Sequence, residues 1–460
     1  MRGCCTAGVP IQFTVTALDS LNNTVAAYAD PVRFQSSDSL AVVPADMTLT
    51  NGVGTFTASL VTAGAQTLTA KDLFSPSITG TSQSIAVLAP LGLHFVPVTP
   101  CRLVDTRNGT GGFTGPIAQG ATQNFNPTVG SCGIPGTAQA YSLNVAVVPS
   151  TTLGFLTAWP AGQSRPVAAT LNSLDGRIKS IAAIVPAGTG GAISIFASDA
   201  TQVVLDINGY FVPNTTPGAL AFFAVTPCRL VDTRNGTLLS GPFATGATRT
   251  LPILSSPCNV PAAAQAYSLN FVAVTSTRVG YLTAYPTGVS RPTVATLNDL
   301  TGTIAANAAI VPAGTGGSVD VFASDATHLV VDINGYFAPA GTGGLSLYTL
   351  TPCRVLDTRQ PPGSPSFSGQ FDVNVLGSGC GGTPQAQAYV FNATVVPPAS
   401  FGFLTLWPQG TTRPTVATLN ALDGAITNNM AIVPTSNTNI SAFASDSTHL
   451  ILDMSGYFAP

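Results

Sequence analysis

The sequence predicts an all-β protein built of tandem sandwich domains, and three observations carry that expectation. First, the 460 residues hold 16 Lys plus Arg and 19 Asp plus Glu, so only 8% are charged, where ordinary soluble proteins carry roughly 25%. Every acidic residue is Asp, and Lys71 and Lys179 are the only lysines. Glu and Lys are the residues that amphipathic helices present to water, so a mainly helical chain is excluded. Second, 46 Gly and 36 Pro punctuate the chain at the density of many short strands joined by turns. Third, the chain repeats itself.

The repeat opens with Thr-Pro-Cys-Arg-Leu-Val-Asp-Thr-Arg at 99–107 and again at 226–234, and 351–359 differs only in Val355-Leu356. Each copy continues with Gly-Phe/Tyr-Leu-Thr, ending in Trp-Pro or Tyr-Pro (154–160, 280–286, 402–408). Ala-Thr-Leu-Asn, Ala-Ile-Val-Pro, Phe-Ala-Ser-Asp and a closing Gly-Tyr-Phe then follow in the same order. A spacing of 127 and 125 residues between first cysteines is too long for a solenoid unit and suits a row of independent domains. The expected boundaries are 1–90 for an N-terminal domain, then 91–213, 219–339 and 345–460 for the three copies.

Within a copy, Tyr141, Leu143, Val145 and Val147 alternate with Ser142, Asn144 and Ala146, the period of a pleated strand. Residues 191–211 read as a hairpin turning at Ser-Asp-Ala-Thr. About eight such candidates per copy are enough for a two-sheet sandwich, jelly-roll or Greek-key in kind.

Six of the eight cysteines fall in matched pairs: Cys101 with Cys132, Cys228 with Cys258, and Cys353 with Cys380. No CxxC and no accompanying His favours zinc, so one disulfide per copy in an oxidising compartment is expected. Cys4 and Cys5 are left over as an intermolecular bond or a thiol. Met1 to Cys5 shows no apolar signal core, the opening reads as cut into a domain, and no run of 18 apolar residues would span a bilayer.

The segments 10–19, 32–38, 54–60 and 67–70 differ from the repeat. Together they resemble a bacterial immunoglobulin-like domain of the kind found in large surface and adhesin proteins. Such domains usually begin with a further strand, so the resemblance implies truncation, or an edge groove open to another chain's strand. The threefold unit, with its Cys-Arg-x-x-Asp-Thr-Arg opening and Gly-Tyr-Phe ending, resembles repeats in secreted multi-domain proteins of soil bacteria. That resemblance implies an exported surface module and no chemistry.

Three copies give three samples of each position. Arg102, Asp105, Arg107, Arg165, Asp199 and Asp206 recur as Arg229, Asp232, Arg234, Arg291, Asp325 and Asp332, and as Arg354, Asp357, Arg359, Arg413, Asp446 and Asp453. Asp105 and Arg107 share a strand face and Arg102 points oppositely. The expected role of Arg102, Asp105 and Arg107, and of their counterparts Arg229, Asp232, Arg234 and Arg354, Asp357, Arg359, is a structural ion-pair network, ahead of a sugar-gripping pocket. Asp199 is expected to hold its own turn, and Asp206 with Asn208 offers too few oxygens for calcium.

Trp159, Tyr285 and Trp407 precede proline, with Arg165, Arg291 and Arg413 six residues on. These six are the candidate ligand-binding residues, an aromatic and a guanidinium for a sugar ring, against the reading that the rings belong to the sandwich core. His94, His328 and His449 form no recurrent position, and no catalytic triad, zinc motif, phosphate loop or Glu pair appears. No enzyme, cofactor or metal is expected. The absence of a basic stripe excludes a nucleic-acid binder. The expected function is an extracellular structural or adhesive surface protein that self-associates into a fibre or layer, with a multivalent carbohydrate-binding protein as the alternative.

Overall fold

A computed structural model describes residues 5–7, 10–39, 41–275, 277–381 and 383–460. The described residues are strands, turns and four single-turn 3-10 helices, so the fold is all-β. The chain forms two compact units, 1–91 and 92–460.

In the first unit, Pro10–Thr16 pairs with Val53–Ser59. Val32–Ser36, Leu68–Asp72 and Thr79–Thr81 form a second sheet, and Cys5–Thr6, Ile85–Leu88 and Gly64–Gln66 form a third. Phe13, Phe34 and Phe56 meet between them, with ring centroids 4.6–5.9 Å apart. A groove of about 430 Å³ is lined by both Pro10–Thr16 and Thr79–Thr81, with Phe13, Val15, Leu68 and Ala70 among its walls.

The second unit holds the three copies. In the first, Lys179–Pro186, Ala140–Pro149, Thr201–Pro213 and Leu93–Asp105 make one antiparallel sheet in that order. Thr122–Phe125, Ile193–Ala197, Leu153–Pro160 and Leu171–Ser173 make the other. Leu143, Val145 and Val147 of the larger sheet pack on Leu156, Ala158 and Ile195 of the smaller, with Tyr141 among them. The second copy repeats all eight strands. In the third, one strand, Asn439–Ala459, runs through both sheets without a break.

The copies are not independent domains, which corrects the expectation drawn from their spacing. Their larger sheets are joined through the first strands, Leu220 pairing with Phe95 and Leu347 with Leu93. The outer faces of these sheets also share one core. Phe95, Ile184 and Phe211 of the first copy, Phe222, Ile310 and Phe337 of the second, and Leu347, Ile432 and Phe458 of the third belong to a single buried cluster. The strands Lys179–Pro186, Ala305–Pro312 and Thr427–Pro434 face one another around its axis.

The closing Gly-Tyr-Phe contributes to this closure. Its Phe (Phe211, Phe337, Phe458) enters the common core. In the first two copies its Gly lies under a ring of the first strand: a Cβ on Gly209 would stand 2.1 Å from Phe95, and one on Gly335 2.2 Å from Phe222, whereas one on Gly456 would meet the Tyr348 carbonyl at 2.7 Å. In the second and third copies the Tyr stacks on the first strand, Tyr336 on Phe223 and Tyr457 on Tyr348.

Candidate functional site

The recurrent charges assemble into one network per copy. In the first, the Arg102 guanidinium donates to both Asp206 oxygens and, through Nη1, to Asp105 at 3.0 Å. Arg107 grips Asp105 with two bonds of 2.8 and 2.6 Å. Arg102 therefore does not point away from Asp105. The ladder steps from Val104 opposite Leu205 to Arg102 opposite Asp206, so Leu103 is an extra residue, and this bulge turns Arg102 to the side of Asp105. Leu230 and Val355 are skipped in the same way in the other copies. Arg229 and Arg354 hold Asp332 and Asp453 as Arg102 holds Asp206, and Asp232 and Asp357 are gripped by Arg234 and Arg359.

Asp206 also reaches the next copy. Its second oxygen accepts the Ala295 N–H at 3.3 Å, and Asp332 accepts the Ala417 N–H at 3.4 Å. Burial pushes both carboxyls up to about 6 against the pull of the adjacent arginine, and Asp453 shifts the same way. Asp105, Asp232 and Asp357 are held below the usual carboxylate range, chiefly by the hydrogen-bonded Arg107, Arg234 and Arg359.

The aromatic and the guanidinium do not form a joint site. Trp159 is 4% exposed and Trp407 1%, and Tyr285 is 5% exposed. Nor do these rings belong to the sandwich core. Ala158 pairs with Ile195 on the core face, so Trp159, one residue on, stands with Ser194 on the opposite face of the sheet. Residues 161–170 fold over that face: Thr157 Oγ1 donates to the Ala168 carbonyl at 3.0 Å and the Trp159 indole to the Gln163 carbonyl at 2.9 Å. Thr405 and Trp407 are covered identically by Val416 and Thr411.

Arg165, Arg291 and Arg413 are exposed. Each has its guanidinium carbon over a ring other than the expected one, Phe196, Phe322 and Phe443, at 3.7, 3.7 and 3.6 Å from the ring centroid. Phe155, Tyr281 and Phe403 stand beside those rings. The guanidinium thus occupies the aromatic face that a sugar ring would need.

The three cysteine pairs are bonded as expected. Cys101 is joined to Cys132, Cys228 to Cys258 and Cys353 to Cys380, with Cα separations of 5.8, 5.9 and 5.7 Å. In each pair the first cysteine lies on the opening strand, beside the arginine of the ion-pair network. Its partner, Cys132, Cys258 or Cys380, lies in the loop that leads to the next long strand, so the bridge ties that loop to the network. Cys4 lies outside the described residues, and Cys5 is buried in the first unit.

Asp199 does not bond the backbone of its own turn as expected: its Oδ2 accepts Gly154 N–H at 2.9 Å on the neighbouring strand and the Ser198 hydroxyl at 2.7 Å. Gln202, His328 and His449 occupy one position, each against a threonine of the opening motif.

The sequence reading missed the asparagines between copies. Asn144 donates to the Ala295 carbonyl, Asn270 to Ala417 and Asn392 to Ala169, at 2.7, 2.7 and 2.6 Å. Each copy thereby bonds the next, and the third bonds the first. A signal was present: Ser142, Asn144 and Ala146 are too small and too neutral for a face turned to water.

No helix among the described residues is long and apolar enough to cross a membrane. No protein-family model matches the chain, and no curated protein matches it. Among solved structures, a crystal structure of tripeptidyl peptidase 2 aligns with 76% of this chain at 10% identity and a TM-score of 0.15, too low to carry any argument. This chain spans about a third (33%) of the length of that structure.

Proposed function

We propose that the chain is an extracellular structural and adhesive surface protein without catalytic chemistry, and that it self-associates into a fibre or layer. The observation that carries this reading is the use made of the recurrent charges. Arg102, Asp105, Arg107, Asp199 and Asp206, with their counterparts, are committed to partners within the same chain, though Arg107, Arg234 and Arg359 stay exposed. What remains outside is a largely uncharged Thr, Ser, Asn and Gly surface, on which charge repulsion between molecules is weak. Disulfides in all three copies support an oxidising, external location.

Static light scattering and negative-stain electron microscopy of the full chain test the proposal. Filaments or sheets whose mass rises with concentration are expected. A monodisperse monomer at high concentration overturns it.

A second reading, a trivalent carbohydrate-binding protein, is favoured by Arg165, Arg291 and Arg413, recurrent exposed guanidiniums that each lie beside an aromatic ring. A glycan array with the triple Arg→Ala variant distinguishes it: binding lost with folding kept supports it, and no binding by the parent chain removes it.

A further inference from the structure

The charges that do not recur have their own pattern. Residues 92–460 contain nine charged side chains outside the six repeated positions, and five of them are Asp175, Arg177, Lys179, Asp299 and Asp423. These five come from all three copies and gather where the strands Lys179–Pro186, Ala305–Pro312 and Thr427–Pro434 begin, at one end of the common axis. A cavity of about 90 Å³ opens there, lined from the first copy by Asn172, Arg177 and Lys179, from the second by Asn298 and Asp299, and from the third by Asn420, Asp423 and Asn428. A pocket with several converging polar groups is the usual form of a small-ligand site.

The cations of this mouth are already paired. Arg177 bonds Asp423 at 2.7 Å across the first and third copies, and Lys179 bonds Asp175 at 3.0 Å. What is left over is acceptor. Asp299 is 3% exposed, and its Oδ1 takes Thr301 and Gly302, but its buried Oδ2 has no partner. Asn420 also lines the cavity, and its buried Oδ1 is without a donor. A carboxyl oxygen held out of water without a hydrogen-bond partner is costly. The equivalent positions carry Ser173 and Ala421, so the sandwich itself does not require a carboxylate here.

We propose that the axial mouth binds a compact monovalent cation, a metal ion or a protonated amine, between the Asp299 carboxylate and the Asn420 side-chain carbonyl. Three carboxylates against two cations leave the mouth with one net negative charge, which suits one positive charge on the ligand. A divalent ion is a poorer match. Calcium gathers six to eight oxygens, several of them carboxylate, whereas the unmatched acceptors here are one carboxyl oxygen of Asp299 and the amide oxygen of Asn420.

The test is thermal unfolding of the full chain at one fixed ionic strength, with tetramethylammonium, sodium, potassium or methylammonium as the chloride. A saturable rise of about 2 °C over tetramethylammonium, which is too bulky to enter, is expected. A rise with sodium or potassium assigns a metal ion, and a rise with methylammonium alone assigns an amine. Asp299→Ser, the residue the first copy carries, should abolish the rise and leave the fold intact. Asn420→Ala serves the same purpose if that variant does not fold. Equal melting in all four salts, or a rise that survives both variants, overturns the proposal.

Discussion

Asn307 donates its side-chain amide to Asn144 Oδ1 at 2.9 Å, and its own Oδ1 accepts the Ala182 N–H at 2.9 Å, clasping the second copy to the first. Asn429 repeats the clasp on Asn270 and Ala308, at 2.8 and 2.9 Å. The third interface lacks it. Ile181 stands where the others have asparagine, and Asn392 Oδ1 is buried without a donor. The ion pair Arg177–Asp423 and the amide pair Asn428–Asn172 hold that interface instead.

Exchanging these residues should move stability in opposite directions. Asn307→Ile removes a clasp and strands Asn144 Oδ1, with an expected loss of about 1–3 kcal/mol. Ile181→Asn supplies the missing donor to Asn392 and loses apolar burial, so the expected change is within about 1 kcal/mol of the parent. Urea unfolding of both variants checks the contrast.

Stability should peak near pH 4 and already decline between about pH 4 and pH 6. Asp105, Asp232 and Asp357 have lowered values in the fold. Their contribution is complete above the unfolded value near 4 and is lost as pH falls through the depressed folded value. Asp206 and Asp332 are raised to about 6, so the folded state binds protons that the unfolded state has released. That contribution is lost as pH rises from about 4 through 6. Melting temperature measured from pH 3 to pH 8 should fall on both sides.

Trp159→Ala should cost about 3–5 kcal/mol, because it empties a space closed by the 161–170 segment. Arg165→Ala removes an exposed cation–π contact worth about 1 kcal/mol or less. Denaturant midpoints of the two variants separate a structural ring from a surface cover.

Reducing the disulfides should loosen each copy without changing the closure. Cys228→Ser with Cys258→Ser is expected to cost about 2–4 kcal/mol by the loop it reopens. The pairs Cys101 with Cys132 and Cys353 with Cys380 close loops of similar length, so their double variants should fall in the same range. Differential scanning calorimetry of the double variants is the measurement.

Much of this architecture could be read in the sequence because it is local. The strands show as alternation from Tyr141 to Val147, the disulfides as matched cysteine pairs, and the ion-pair network as recurrence in a chain with few charges. The bulge at Leu103 could not be read, since an added apolar residue leaves the pattern unchanged while reversing the side of Arg102. The covering of Trp159 depends on where residues 161–170 fold back, which no spacing reports. Closure about an axis was harder still. Phe95, Phe211 and Ile184 look like ordinary strand residues, and only their burial against the other two copies separates them from a surface. The axial mouth joins positions 175–179, 299 and 423, which become neighbours only once the three copies are packed.

The account rests on the three copies folding as one body around a common core. Phe337→Ala, placed in the second copy but buried against Phe95 and Phe458 of the other two, followed by hydrogen exchange, tests this most directly. Protection should fall together in strands 140–149, 266–274 and 388–396. Loss confined to the second copy, with the first and third unchanged, would contradict it.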